Sequence, residues 1–293
     1  MMTNKPQILK KIISLFALVR VQNILLLSIA FILTSKYIFV PHQSFYSLIT
    51  DPYFDILLIA SSLCIASGYI INGFYDLKKD MINRPEKTIL EQQLNQRKKL
   101  YLYFFLNFSA VGLAFFISYR AATFFSVYIF LIWLYSHKIH SFPFWSNITA
   151  AILSIFPFFA IFLFYKKFDL FIFWHAVFLF LILFLKELVK NFINIKGDLI
   201  QNYQTLPVKY GETKAKILVT AISLLLIIPV MMLWQYPVLH NMKYYFLTFL
   251  LIYYPALLIF YRKKDLKTYR YFYLLLKLLI ALGVFSIALV NNR

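Results

Sequence analysis

Apolar windows of about 20 residues recur along the whole chain, separated by short polar segments, and such windows predict membrane-spanning helices. Nine are expected, near 12–35, 54–76, 99–118, 122–136, 147–165, 170–193, 215–234, 244–261 and 271–290, the fourth being short. No soluble domain fits between them. Residues 1–293 are therefore expected to form a single all-α, polytopic transmembrane domain. The longest gaps, about 77–98 and 194–214, each follow a polar interruption at the end of an apolar run.

Those two interruptions share a pattern. Asn72, Asp76 and Asp80 read N-x-x-x-D-x-x-x-D, and Asn194 and Asp198 read N-x-x-x-D. Residues four apart lie on one face of a helix, so each stretch lines up oxygen ligands. Upstream, Glu187, Lys190 and Asn191 continue the second stripe at helical spacing, on the same face as Asn194 and Asp198. Such groups are expensive at a membrane edge and mark a site by default; the plainer alternative is a solvated helix end. Oxygen-only ligands favour a hard cation such as Mg²⁺, which usually serves phosphates. Lys78, Lys79, Arg84 and Lys87 follow the first stripe and would suit phosphate oxygens, although topology explains any one of these lysines better. Glu187 and Lys190 form an ion pair on the simplest reading, and Gly197 reads as a local break.

Composition supports a membrane protein: the chain is 62% hydrophobic, 14% charged, with a mean hydropathy of +0.73. A net charge of +19 could suggest nucleic acid, but its distribution argues otherwise. With the N-terminus in the cytoplasm and nine spans, 21 Lys and Arg fall in cytoplasmic segments and 6 in outer ones. That bias predicts N-in, C-out, with Arg293 outside and both polar stretches on the cytoplasmic side. Some of the basic excess could hold anionic lipid head groups. No nucleic-acid or protein partner is expected. The single cysteine, Cys64, excludes an internal disulfide and zinc spacing. The first apolar run lacks a small-residue cleavage site and is expected to stay as a helix.

Other polar positions are less specific. Arg20 and Asn23 could reach the site from the first helix, or Arg20 could snorkel. Lys277 is expected to snorkel, and His175 to be a core or interface histidine. Tyr135, Ser136 and Asn147 flank the fourth-to-fifth connection and could line a cavity. Aromatics make 20% of the chain; Tyr69, Phe74 and Tyr75 are near enough to the first stripe to stabilise a carbocation.

These motifs resemble those of UbiA-type intramembrane prenyltransferases, from about Arg20 to Lys216 by motif and over the whole chain by helix count. Asn72 to Asp80 resembles the family's first aspartate-rich motif, and Asn83-Arg84-Pro85 follows where the family often has N-[RK]-P. Tyr135-Ser136, Pro143 and Asn147 resemble its Y-S-x-x-L-K…P…G-N segment. Lys186 to Asp198, with Thr205-Leu206-Pro207-Val208 and Gly211, resembles the pattern of the branch akin to digeranylgeranylglyceryl phosphate synthases. Asn191 and Asn194 stand where that branch has aspartates, Lys186 replaces an arginine, and His140 and Ser146 replace a lysine and a glycine. The second stretch has thus lost about two negative charges.

The resemblance implies a nine-helix bundle around a central cavity open laterally to lipid, with Mg²⁺ and a prenyl diphosphate under the two motifs. Asp76, Asp80, Asp198 and Lys190 are then the expected catalytic residues. Asn72, Arg84, Arg20, Asn23, Tyr135, Asn191 and Asn194 would bind substrate, and Asn72, Asp76, Asp80, Asn194 and Asp198 would hold Mg²⁺. The expected reaction moves a prenyl group from its diphosphate to a lipophilic acceptor, a prenylglyceryl phosphate hydroxyl, in the cell membrane. Three rivals stay open: an aromatic acceptor as in quinone synthesis, a catalytically degenerate paralogue that binds lipid or a partner, and a transporter. Against the last stands the lack of an evident inverted repeat.

Overall fold

A computed structural model describes residues 13–290, and among them every regular element is helical. Residues 13–19 are helical and lead into α1 (Val21–Thr34), which continues as a π-helical turn through Phe39. Next come α2 (Pro52–Tyr75), α3 (Leu77–Asn83), α4 (Pro85–Gln92), α5 (Gln96–Ile117), α6 (Tyr119–His137), α7 (Trp145–Tyr165) and α8 (Leu170–Ile200). The chain closes with α9 (Leu206–Tyr210), α10 (Glu212–Leu225), α11 (Ile227–Trp234), α12 (Met242–Arg262) and α13 (Leu266–Ser286).

Eight helices among the described residues are long and apolar enough to cross a membrane, α10 and α11 together making one of them. The remaining expected span, 122–136, is α6, a helix of 19 residues. At about 1.5 Å per residue it reaches roughly 28 Å, nearly a hydrocarbon core. Arg120 and His137 near its ends, with Ser and Thr between, make it less apolar than its neighbours.

Helix starts follow local chemistry. The carboxylate or hydroxyl of Asp51, Ser118, Asp169 and Asp265 accepts a first-turn N–H of α2, α6, α8 and α13. Pro52 and Pro85 open α2 and α4, where the missing N–H is no loss. Helix α8 is the axis of the fold: it packs against α3, α7, α11 and α13. Aromatic rings fix it there. Phe178 meets Phe246 and Phe249 of α12 edge-on, and Phe192 meets Phe260 and Tyr269.

Three expected continuities are broken or extended. The first run, expected at 12–35, is interrupted at Arg20, whose φ of 52° puts it in the left-handed region, rare for a side-chain-bearing residue; its residue 12 lies outside the described residues. The first stripe is not on one helix: α2 ends at Tyr75, Asp76 caps it, and α3 begins at Leu77. Conversely, Gly197 is no break, because α8 runs through it to Ile200.

The two ends of the bundle are distinct. Lys167 Nζ donates to Phe39 O at 3.3 Å, joining two segments expected outside. At the other end Asn83, Gln201 and Gln204 reach Asn194, Tyr75 and Ser141, joining segments expected in the cytoplasm. Arg293 lies outside the described residues. With Cys64 replaced, cysteines at the exposed positions Glu86 and Gln204 should label from one side of the membrane and one at Phe168 from the other. Opposite labelling of Glu86 and Gln204 would contradict this packing.

Candidate active site

The two polar stretches meet at one end of the bundle, where α2, α3, the 138–142 connection, the start of α7, the last turns of α8 and the loop after it converge. Although α2 and α3 are separate helices, the backbone bonds Asp76 N–Asn72 O (2.9 Å) and Asp80 N–Asp76 O (2.8 Å) keep the four-residue repeat across the joint. Asp76 is buried and faces His140 Nδ1 at 3.2 Å. The Tyr203 side chain also lies beside it. Burial alone would push the Asp76 carboxyl up, but His140, Lys79 and Lys190 outweigh it and hold the carboxyl well below the ordinary range. Tyr203, buried beside that carboxylate, has its phenol pushed far up and stays protonated. Its ring and that of Tyr135 both pack against the His140 imidazole.

The second stretch is engaged differently. Asp198 is fully buried. Its Oδ1 lies 2.7 Å from Lys79 Nζ, and its Oδ2 accepts from Thr205 Oγ1 at 3.0 Å. Lys79, expected to be a topological surface charge, is only 3% exposed. Asn191 donates to Asn147 Oδ1 at 3.1 Å, a cross-link between α8 and α7. The oxygens Asn72 Oδ1 and Asn194 Oδ1 are buried and have no donor among the described residues.

Gly197 lets α3 and α8 approach. A Cβ there would stand 2.2 Å from Asn83 Nδ2 and 2.8 Å from Lys79 O. Asn83 is pinned by its own bond to Asn194 O at 3.4 Å. Gly197→Ala should therefore force the helices apart and lower activity at least about tenfold, the effect of a misplacement of ångström scale. Gly73, with nothing within 4 Å of such a Cβ, should tolerate alanine. Equal activity in the two variants would contradict the close approach.

A cationic group lies beside these carboxylates. Arg84, at the α3–α4 joint, is close enough to repel both Lys87 and Lys190. Burial and the charges of Arg20 and Arg84 lower the Lys87 pKa despite its ion pair with Glu91. Lys190 shares Glu187 with Lys186, at 3.0 and 3.2 Å. Arg20 stacks its guanidinium 4.7 Å over Tyr69, whose hydroxyl accepts from Asn23 at 3.0 Å. Crowded positive charge of this kind suits a polyanion. Further along α8, from Ile172 to Ile182, a cavity of about 620 Å³ opens between apolar side chains of α1, α7, α8, α12 and α13, including Ala30, Phe158, Phe246 and Gly283. His175 borders it, its Nδ1 on Phe171 O. Lys277 is exposed at α13, near the Tyr273 ring.

Three residues matter more here than their sequence positions suggest. Lys79 is one of two adjacent lysines, and nothing in the chain says which one turns inward. His140 stands out only as a departure from the resembled motif. Thr205 was legible only as the first residue of Thr-Leu-Pro.

A divalent cation fits the first stretch. Asn72 Oδ1 and Asp76 Oδ1 are buried oxygens that accept no hydrogen bond among the described residues, although His140 Nδ1 lies 3.2 Å from the latter, and Asp80 is partly exposed. Mg²⁺ is usually held by one or two carboxylates plus phosphate and water, a donor set that Asp76 and Asp80 can supply. The second stretch does not fit, because an ammonium already sits on Asp198.

This fold and this pairing of motifs define an intramembrane transferase scaffold. Residues 20–289 match the UbiA prenyltransferase family, and the chain belongs to it. It is 32% identical over 161 residues to digeranylgeranylglyceryl phosphate synthase of Thermococcus gammatolerans, covering 55% of this chain and 58% of that one. It is 29% identical over 184 residues to the synthase of Methanosphaera stadtmanae, covering 61% and 67%. The aligned region thus spans about three fifths of these relatives. Two solved structures share the fold: one of a digeranylgeranylglyceryl phosphate synthase (TM-score 0.68, 18% identity, 95% of this chain and 97% of that one) and one of a UbiA homolog from Archaeoglobus fulgidus bound to GPP and Mg²⁺ (TM-score 0.64, 14% identity, 94% and 99%).

Proposed function

We propose that the chain is a single transmembrane prenyltransferase domain that moves a prenyl group from a prenyl diphosphate to the hydroxyl of a prenylglyceryl phosphate. The carrying observation is the order of surfaces along α8: polar oxygens at Asn194 and Asp198, the latter holding the Lys79 ammonium, cations at Lys190 and Lys186, and an apolar cavity from Ile182 to Ile172. At about 1.5 Å per residue, Lys190 and Ile182 are roughly 12 Å apart. That matches an amphiphile with an anionic head and a long hydrocarbon tail. The relatives named above support the acceptor.

In this reading Arg84 and Lys190 bind and orient the diphosphate, with Arg20 and Asn23 at its flank. Mg²⁺ held by Asn72, Asp76 and Asp80 would supply neutralisation of charge on the leaving diphosphate. His140 and Tyr203 fix the Asp76 carboxylate as an anion in one orientation. The allylic C–O bond ionises, the diphosphate takes the electron pair, and the acceptor oxygen attacks the cation and gives its proton to the released diphosphate. Tyr135 borders this point, and the apolar walls keep water away. Asn194 Oδ1 is a buried carbonyl oxygen with no donor among the described residues, open to the acceptor hydroxyl. The site faces the cytoplasm of the cell membrane, by the charge bias.

Asn191, Asn194 and the Lys79–Asp198 pair favour a second reading, a degenerate paralogue that binds lipid without turnover. Reconstituted protein given C10–C20 prenyl diphosphates, Mg²⁺ and either a prenylglyceryl phosphate or an aromatic acid separates the possibilities by mass spectrometry. The proposal expects the ether-linked product from the glyceryl phosphate. Product only from the aromatic acid would overturn the acceptor, and no product from any pair would favour the degenerate reading.

A further inference from the structure

A second divalent cation beside the diphosphate would need anionic ligands on α8. Where the resembled branch has aspartates this chain has the neutral Asn191 and Asn194, and the Asn191 amide nitrogen donates to Asn147. Only Asp198 remains anionic on that face below Glu187. It is not free: Lys79 Nζ lies 2.7 Å from one oxygen, and Thr205 donates to the other.

Lys79 occupies the space between the two stretches. It grows from α3 one turn after Asp76, points across to α8, and its charge acts on the Asp76 carboxyl as well as on Asp198. The side chain is 3% exposed, and its ammonium lies 5.1 Å from the centre of the Tyr203 ring. A buried ammonium needs such partners, because removing either one leaves an uncompensated charge out of water. An ammonium has three donors and no acceptor. With Asp198 and the ring on two sides, it can still donate toward phosphate oxygen.

We propose that this chain works with one divalent cation, at the first stretch, and that the Lys79 ammonium takes the position and charge of a second. The inference rests on the prenyl diphosphate reading and makes it more specific. Two lost carboxylates and one buried lysine are then parts of one change: the second cation is covalently built in. The Asp76 side still needs metal. Asp198 becomes a positioning residue that holds Lys79, not a metal ligand.

The test counts bound Mn²⁺, by electron paramagnetic resonance, on the purified full chain saturated with an unreactive prenyl thiolodiphosphate. One Mn²⁺ per chain is expected in the native protein. The triple variant Lys79→Ile, Asn191→Asp, Asn194→Asp should hold two. Lys79→Arg, which keeps the charge, should still hold one, so a fault in folding of the triple variant leaves the native and arginine counts decisive. Two Mn²⁺ on the native chain with the analogue bound would overturn the inference and leave the prenyl diphosphate reading intact. No binding of the analogue would overturn both.

Discussion

Asp76→Asn should reduce turnover by roughly 10²–10³-fold, the range seen when one preorganised electrostatic group is removed from an active site. Asp76 is the buried anion of the first stretch, and His140 and Tyr203 are both organised around it. An amide there keeps the shape and one acceptor oxygen but removes the charge that attracts the cation. The measurement is single-turnover prenyl transfer at saturating substrate, with Mg²⁺ varied. The loss should persist at every Mg²⁺ concentration, while the variant inserts and melts like the native protein. Near-native turnover would mean that Asp76 does not face the reacting diphosphate.

The second large effect is expected at Arg84. It carries no acidic partner among the described residues and repels Lys190 and Lys87, so its charge is held ready for something anionic. A charge-assisted hydrogen bond contributes roughly 1.5–3 kcal/mol, which is about ten- to hundredfold in affinity. Arg84→Ala should raise the KM for the prenyl diphosphate by that factor and leave the KM for the acceptor unchanged. Arg84→Lys should recover part of the loss, since a point charge replaces a two-pronged donor. An effect on the acceptor KM alone would move Arg84 to the other substrate.

Much of this was legible along the chain. Long apolar windows fixed the helices, because a backbone in lipid must satisfy its own hydrogen bonds. Polar residues at four-residue spacing inside such windows located both stretches. What stayed hidden depended on rotation and on partners. Lys79 turns inward to Asp198 and Lys78 outward without any local signal, because only the packing of α3 against α8 selects between them. Gly197 reads as a helix breaker until α3 is placed against it. The ring cluster of Tyr135, His140 and Tyr203 joins residues from three segments and has no spacing to betray it. Helix ends moved for similar reasons: Arg20 interrupts the first run, and its guanidinium settles on Tyr69.

The central claim, that the two stretches form one site that ionises a prenyl diphosphate, is tested most directly by following diphosphate release. Purified protein in proteoliposomes would receive a radiolabelled C20 prenyl diphosphate and a prenylglyceryl phosphate. Mg²⁺-dependent release of diphosphate is expected in step with the ether product, abolished by chelator and cut roughly 10²–10³-fold by Asp76→Asn. Intact prenyl diphosphate after prolonged incubation, or release unchanged by chelator and by Asp76→Asn, would contradict it.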